Sequence, residues 1–246
     1  MATEKPNSFW INVKNVAVTF AATFLALGAW NDSVDLLQSA YKYSVSKFTN
    51  TLDYEKLQLV QVGLNKDFIE SAFGPAELMR TSQVDNQIDY TYYLNSKYIL
   101  TIFYREKQVK AFTIITIKDD FIPVGLLELN NIETDSTTEQ LAPGFAGLAV
   151  NPKESLFVVE DQLGKNSLFL KKYIGNVGFA ARAFKEPLLL NKIEQAMLID
   201  ELKVLEQTEP LKSLPLNLYG VGQLSVDMIA DAVLSSREYV IYGRKR

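Results

Sequence analysis

The sequence predicts an α+β fold in which an N-terminal single transmembrane helix is followed by a mostly antiparallel sheet packed with helices. Three observations support this prediction. An apolar run lies between two tryptophans near the amino end, three consecutive segments are rich in Tyr, Ile, Phe and Thr, and later segments repeat apolar residues at helical spacing. We divide the chain into a tail and membrane helix (1–31), a connecting helix (32–54) and one α+β domain (55–246).

The predicted membrane helix is centred on the uncharged run 16–29, which is framed by Trp10 and Trp30. Twenty helical residues span about 30 Å, close to the hydrocarbon thickness of a bilayer, and tryptophan favours the membrane–water interface. Lys14 lies near the expected membrane surface, where its long side chain can reach the headgroups. We therefore predict that Trp10, Lys14 and Trp30 contact the membrane.

Two other interpretations of this run stay open, namely a buried core helix and a signal peptide cleaved after Gly28. Lys5 and Lys14 precede the run closely, whereas Lys42 and Lys47 follow it at a greater distance. This asymmetry slightly favours a cytoplasmic amino terminus and a periplasmic domain, in a single-pass protein of the inner membrane. A short span that contains threonine also suits self-association.

Composition excludes several classes of function. The chain of 246 residues has a net charge of −4 with scattered basic residues, which argues against a nucleic-acid partner. It contains neither cysteine nor histidine, so thiolate and imidazole chemistry is excluded. We predict no catalytic residue, no metal site and no cofactor. The basic end 244–246 is interpreted as a solvated terminus, with acidic headgroups or RNA as the alternative contact.

A few patterns resemble catalytic ones. Ser44 and Lys47 have the Ser-x-x-Lys spacing of serine acyl-enzymes, but the chain lacks the partner motifs. Asp227 and Asp231, four residues apart on one helical face, are able to hold a cation or form a general-acid pair, although a wet surface is the simpler interpretation. The same solvent-facing interpretation is given to two adjacent acidic pairs, Asp119-Asp120 and Glu160-Asp161.

Local signals place the elements of the domain. Asn65 is a suitable N-cap for a helix that ends at Gly74-Pro75. Strands are predicted at 88–94, 98–104, 109–117, 155–159 and 167–174, with a last one at 238–242. Helices are predicted at 187–205 and 224–234.

Tyrosines are concentrated in the first two strands. Tyr90 and Tyr92 point to one face of their strand and Tyr93 to the other, which predicts one face against the core and one against a helix or a partner. Together with Tyr98 and Tyr104, these rings are the candidate binding residues. Packing in half-buried positions is the alternative.

Several short motifs occur in an order that resembles a known family. They are Gly63-Leu-Asn-Lys66, Phe73-Gly-Pro-Ala-Glu77, Tyr104–Val109, Ala111–Thr116, Asp120–Pro123, Tyr173–Phe179 and Asn217–Gly220. Their order resembles the uncharacterised ETEC-type domain of bacterial membrane-anchored proteins, across residues 55–240. The helix that ends in Gly-Pro is locally similar to the SmpA/OmlA envelope lipoproteins, but their lipobox cysteine is missing. Neither resemblance implies a catalytic residue.

The predicted function is a membrane-anchored, non-catalytic binding or assembly module of the bacterial cell envelope, with a protein partner or a second copy as its target. One alternative is a membrane effector whose soluble domain senses a ligand, for example in phage defence. Another is a carboxylate-dependent envelope hydrolase, which needs two carboxyl groups about 5 to 10 Å apart across a cleft.

Overall fold

The computed structural model describes residues 50–123, 136–142, 145–163, 170–199 and 208–243. The chain divides into two units, Met1–Asp53 and Tyr54–Arg246. The fold below is that of the second unit and of the helix that leads into it. Its β-forming segments pair into one sheet, and its amphipathic segments supply helices to both faces of that sheet.

The described strands form one eight-stranded sheet in which every neighbouring pair is antiparallel. They are β1 (Leu78–Thr81), β2 (Asp89–Leu94), β3 (Tyr98–Arg105), β4 (Gln108–Thr116), β5 (Gly147–Asn151), β6 (Leu156–Gln162), β7 (Lys171–Asn176) and β8 (Leu218–Gly222). Their order is β1-β2-β3-β4-β8-β7-β6-β5. The last strand in sequence therefore lies at the centre and joins two meanders.

Both faces of this sheet are covered. Strand β3 is buried almost throughout, and its alternate residues enter two different cores. Leu100 and Ile102 belong to one core, which we call core A, whereas Ile99 and Phe103 belong to the other, core B. Because successive side chains of a strand point to opposite faces, a strand that is apolar throughout requires cover on both sides.

Helices provide that cover. The described helices are α1 (Thr51–Gln58), α2 (Lys66–Phe73), α3 (Thr138–Leu141), α4 (Pro187–Met197), α5 (Val226–Ala232) and α6 (Ser236–Gly243), with 3-10 turns at Pro152–Glu154 and Glu209–Ser213. Leu57 of α1, Ile69 of α2 and Leu190 of α4 enter core A. Ile229 of α5 is buried in core B, and Tyr239 of α6 packs against that core. The α+β prediction with a mostly antiparallel sheet is confirmed.

Helix α2 begins and ends as its sequence predicts. The Asn65 side chain accepts a hydrogen bond from the backbone N–H of Asp67 at 3.0 Å, which satisfies one free donor of the first turn. At the other end, the N–H of Gly74 donates to the carbonyl oxygen of Glu70 at 2.9 Å. Gly74 has a φ of 85°, a conformation that glycine adopts without steric cost.

The prediction of a strand at 238–242 is wrong, because this segment lies in helix α6. Ser235 and Glu238 form a capping box, in which each side chain bonds the backbone N–H of the other residue. The Glu238 carboxylate accepts from Ser235 N at 2.7 Å, and Ser235 Oγ accepts from Glu238 N at 3.2 Å. Four adjacent β-forming residues suggested a strand, but these two bonds stabilise a helix start.

Other predictions fall outside the described residues. These are the membrane helix with Trp10, Lys14 and Trp30, most of the connecting helix, and the Ser44 and Lys47 pair. In the part of the chain that the structure describes, no helix is long and apolar enough to cross a membrane. The membrane helix stays a prediction from the sequence.

Candidate functional site

The five candidate tyrosines are core side chains. Their exposed fractions are 0% for Tyr90 and Tyr92, 5% for Tyr93, 4% for Tyr98 and 2% for Tyr104. The first two lie in core B and the other three in core A. The prediction of an exposed tyrosine face is therefore corrected, because helices cover both faces of the sheet. The five rings are packed in the core, and they are buried more deeply than the half-buried positions of the alternative prediction.

Tyrosines of core B use their hydroxyls to hold helix α5. Tyr90 donates to Asp231 Oδ2 at 2.7 Å, and Tyr92 donates to the carbonyl oxygen of Ala232 at 2.8 Å. At the other end of α5, Tyr173 donates to the carbonyl oxygen of Leu224 at 2.6 Å. A buried tyrosine hydroxyl needs a hydrogen-bond partner, and these partners connect the sheet to α5.

Asp231 of the proposed Asp227 and Asp231 pair is a half-buried hydrogen-bond acceptor, whereas Asp227 is exposed, as the wet-surface interpretation expects. Besides Tyr90, the Oδ2 of Asp231 accepts from Ser82 Oγ at 3.2 Å and from Gln83 N at 3.0 Å. Its position favours a structural role in joining α5 to the β1–β2 hairpin.

The acids of strand β6 also have protein partners, which corrects their interpretation as solvent-facing turn residues. Glu160 forms an ion pair with Lys171 at 3.0 Å, and its other oxygen accepts from the N–H of Val226 at 3.0 Å. Asp161 pairs with Lys172 at 3.6 Å. Glu160 therefore satisfies a free donor in the first turn of α5.

A cleft of about 380 Å³ lies between the turn that joins β2 to β3 and helix α6. We call it the C-terminal cleft. Leu94 and Ile99 contribute apolar surface, and Glu77 contributes a carboxylate. The remaining lining residues are Asn95, Ser96, Tyr239, Tyr242 and Gly243. A volume of this size fits a small ligand or one side chain of a larger partner.

The turn beside the cleft is held in a fixed shape. Asn95 Oδ1 accepts from the N–H of Lys97 at 2.9 Å, and the N–H of Asn95 donates to the carbonyl oxygen of Tyr98 at 2.9 Å. An asparagine that bonds its own backbone two residues further on is a recurrent turn former. The Glu77 side chain, which lines the cleft, is fixed as well, because its Oε2 accepts a hydrogen bond from Leu94 N at 3.2 Å.

Helix α6 is held at both its start and its inward face. The Glu154 carboxylate accepts from Ser236 N at 2.8 Å and from Ser236 Oγ at 2.9 Å. The Tyr239 ring stacks on Phe179, with centroids 4.6 Å apart and planes at 14°. These contacts fix the wall that presents Tyr239 and Tyr242 to the cleft.

The lining of the cleft is suited to recognition. Glu77 accepts hydrogen bonds, Asn95 and Ser96 are able to donate and accept them, and the two tyrosines offer ring faces and hydroxyls. Such groups bind an amine, a hydroxyl or a flat group through hydrogen bonds and ring contacts, with no covalent bond made or broken. Among the residues that the structure describes, no three carboxylates are grouped to hold a metal ion.

Sequence reasoning did not find the cleft, because its lining comes from separate segments around Glu77, Asn95 and Tyr239. One signal was present. The Ser-x-x-Glu pattern of Ser235 and Glu238 predicts a helix start, and it would have placed Tyr239 and Tyr242 on a helix.

A second concavity, of about 330 Å³, lies at the β5 edge of the sheet. Glu194, Asp227 and Asp231 line it together with apolar side chains that include Met197 and Leu198. It is more open than the C-terminal cleft. The Asp231 carboxylate in its lining already accepts hydrogen bonds from Ser82, Gln83 and Tyr90. We therefore do not assign small-molecule binding to this groove.

The buried tyrosines predict how stability depends on pH. Loss of hydration on burial raises the pKa of Tyr93 to about 12, and burial also raises the pKa of Tyr90, Tyr92, Tyr104 and Tyr173. Because the folded pKa lies above the unfolded value of about 10, the stabilisation is complete below pH 10 and is lost as pH rises through the folded pKa. We expect tyrosinate absorbance to increase together with loss of circular dichroism.

The control is a comparison of two phenylalanine variants. Tyr93→Phe removes one buried phenol and is expected to make the fall in stability above pH 10 less steep. Tyr242→Phe changes an exposed ring and is expected to leave the fall unchanged. Complete tyrosine ionisation near pH 10 with the fold intact would contradict the burial argument.

No protein-family model, no curated protein and no solved structure matches this chain.

Proposed function

We propose that this chain is a membrane-anchored, non-catalytic binding or assembly module of the bacterial cell envelope, and that its target contacts the C-terminal cleft. The observation that carries the proposal is the lining of this cleft. It combines a carboxylate, an amide, a hydroxyl and two tyrosine rings over apolar surface from Leu94 and Ile99. This mixture of an apolar base and a few placed polar groups is typical of recognition sites.

The fold supports use of the cleft for binding. Both faces of the sheet are packed against helices, so the strands themselves offer little apolar surface to a partner. The cleft lies at the end of the β2–β3 hairpin, where the backbone is fixed by Asn95 and the facing helix by Glu154 and Phe179. A site that is fixed before binding loses less conformational entropy when its target arrives.

The membrane part of the proposal comes from the sequence. The uncharged run 16–29 between Trp10 and Trp30 supports a single-pass anchor. The lysine distribution favours a periplasmic domain on the inner membrane, and the resemblance to the ETEC-type domain supports a bacterial envelope protein. A protein partner or a second copy of the chain is the target that fits an anchored module of this size.

The proposal is tested by a photo-crosslinking amino acid in place of Ser96 in the full chain, expressed in the native host. Ser96 is exposed and lines the cleft. We expect one defined adduct in the membrane fraction. Glu77→Ala is expected to lower its yield about tenfold, which corresponds to about 1.4 kcal/mol of lost binding energy.

The matched control places the same crosslinker at Lys192, which is exposed on α4 and outside the cleft. It is expected to give no such adduct. Equal adducts from both positions, or an adduct at Ser96 that Glu77→Ala leaves unchanged, would exclude the cleft as the site. An adduct found only in the soluble fraction would exclude the membrane part of the proposal.

A further inference from the structure

Strand β5 (Gly147–Asn151) forms one edge of the sheet. Among the described strands it pairs only with β6. In an antiparallel edge strand, alternate residues direct their backbone N–H and C=O groups away from the neighbouring strand. Within the part of the chain that the structure describes, no residue outside β6 forms a hydrogen bond with the backbone of β5. Its outer edge therefore carries donors and acceptors to which the described residues bring no partner.

The β5 edge lacks the side chains that usually prevent further pairing. Charged residues and proline are common means by which an edge strand avoids another strand. The sequence of β5, Gly-Leu-Ala-Val-Asn, contains neither. The opposite edge, β1, carries Arg80, whose side chain pairs with Glu238 at 3.4 Å and bonds the carbonyl oxygen of Asp231. Of these two edges, β5 is therefore the one that is suited to accept another strand.

Two helices flank the β5 edge and make it the base of a groove. Helix α4 lies on the core A side and α5 on the core B side, and both contact β5. The groove is the second concavity described above, of about 330 Å³, to which β5 contributes Ala149, Val150 and Asn151. An extended segment that pairs with β5 directs its alternate side chains toward α4 and toward α5. The two helices therefore determine which side chains such a segment needs.

The helices present acidic and apolar side chains to the groove. Glu194 of α4 and Asp227 of α5 are exposed lining residues, and neither carboxylate has an ion pair or a hydrogen bond with a described residue. Met197 and Leu198, which are exposed by 44% and 83%, add apolar surface at the end of α4. The described lining contains no basic residue. These carboxylates therefore favour a basic segment over an acidic one, and the apolar side chains favour aliphatic residues beside the basic ones.

We propose that the β5 edge is a docking site for an extended basic segment of a partner protein, which adds to the sheet as a further strand. Its backbone pairs with β5, and its lysine or arginine side chains contact Glu194 and Asp227. In this mode of recognition the main-chain hydrogen bonds supply affinity and the flanking side chains supply specificity. A second copy that paired β5 with β5 would bring no basic side chain from that strand to these carboxylates. The site shares no lining residue with the C-terminal cleft, so it does not depend on the function proposed for that cleft.

The test uses the full chain in detergent and a fluorescent peptide, Lys-Lys-Val-Val-Lys-Lys, which as a strand presents lysine and valine on both faces. We expect saturable binding, measured by fluorescence anisotropy. The double variant Glu194→Gln with Asp227→Asn is expected to raise the dissociation constant about tenfold. Glu55→Gln with Glu139→Gln removes two exposed acids outside the groove and is the matched control. It is expected to change the dissociation constant by less than about twofold, because distant exposed charges are screened.

A second peptide separates strand addition from simple charge attraction. The same sequence with N-methylated backbone amides keeps its lysines but has no N–H group to donate to an edge, so we expect it to bind at least about tenfold more weakly. Hydrogen exchange of the outward-facing β5 amides is expected to slow when the unmodified peptide binds. Equal affinity of the two peptides, or an affinity that the groove variant leaves unchanged, would overturn the inference. Slow exchange of these amides before any peptide is added would also overturn it, because the edge would then be covered by the chain itself or by a second copy.

Discussion

Replacement of Asn217 by alanine is expected to lower the free energy of unfolding by about 4 kcal/mol, a large share of the 5 to 15 kcal/mol that is typical of a folded domain. Asn217 is fully buried. Its Oδ1 accepts from Val177 N at 2.7 Å, and its Nδ2 donates to the carbonyl oxygens of Val177 and Ala181 at 3.1 and 2.8 Å. Alanine would remove this partner from the buried Val177 N–H and Ala181 carbonyl oxygen, and each buried group left unsatisfied costs about 1 to 3 kcal/mol. The Val177 carbonyl oxygen still accepts from Ala180 N at 3.1 Å.

The measurement is chemical denaturation of the full chain, followed by circular dichroism. Asn191→Ala, at an exposed position on α4, is the matched control and is expected to change stability by less than about 0.5 kcal/mol. Asn217→Asp keeps the volume but places an oxygen against two carbonyl oxygens, so it is expected to destabilise the fold at least as much as alanine. A loss below about 1 kcal/mol for Asn217→Ala would contradict the hydrogen-bond argument.

Asn217 acts together with a second buried asparagine. Asn176 Oδ1 accepts from Phe184 N at 2.8 Å, and its Nδ2 donates to the carbonyl oxygens of Arg182 and Pro215 at 3.1 and 2.9 Å. The two side chains therefore fix the segment between Val177 and Phe184 beside the centre of the sheet. This bonding gives both asparagines a structural role.

The strands that local sequence predicted are those with continuous β-forming side chains. Strands β2, β3 and β4 lie within two residues of their predicted bounds, because Tyr, Ile and Phe pack on both faces of a covered sheet. Strand β8 was missed because its sequence, Leu-Tyr-Gly-Val-Gly, contains two glycines, which weaken any strand signal. Yet the glycines suit its central position, since a Cβ on Gly220 would lie 2.6 Å from the carbonyl oxygen of Phe112.

The candidate site was harder to predict than the fold. Sequence periodicity shows which residues share one element, but it does not show which elements become neighbours. Glu77 and Tyr239 come together only because β8 returns to the centre of the sheet and carries α5 and α6 across core B. The tyrosines were attractive as an exposed surface because one strand face of an antiparallel sheet is often solvated. The position of α5 removes that option for Tyr90 and Tyr92.

Replacement of Gly175 by alanine is expected to cost about 3 kcal/mol or more and to prevent folding at moderate temperature. Gly175 lies in β7, between Val158 of β6 and Leu218 of β8. A Cβ at this position would overlap the carbonyl oxygen of Phe157 and lie 3.0 Å from Val158 Cα. Both atoms are backbone, so the clash is relieved only if β6 moves away and the pairing between β6 and β7 is disturbed.

Gly74→Ala is the matched control, because a Cβ there meets no atom within 4 Å. Its φ of 85° makes alanine strained, and we expect a cost of about 1 to 2 kcal/mol from that strain alone. Thermal unfolding of both variants, followed by circular dichroism, separates the two effects. If Gly175→Ala were as stable as Gly74→Ala, the close approach of β7 to β6 would not be required. If Gly175→Ala is the less stable variant by a wide margin, the pairing of β6 with β7 depends on a glycine that no local strand signal reveals.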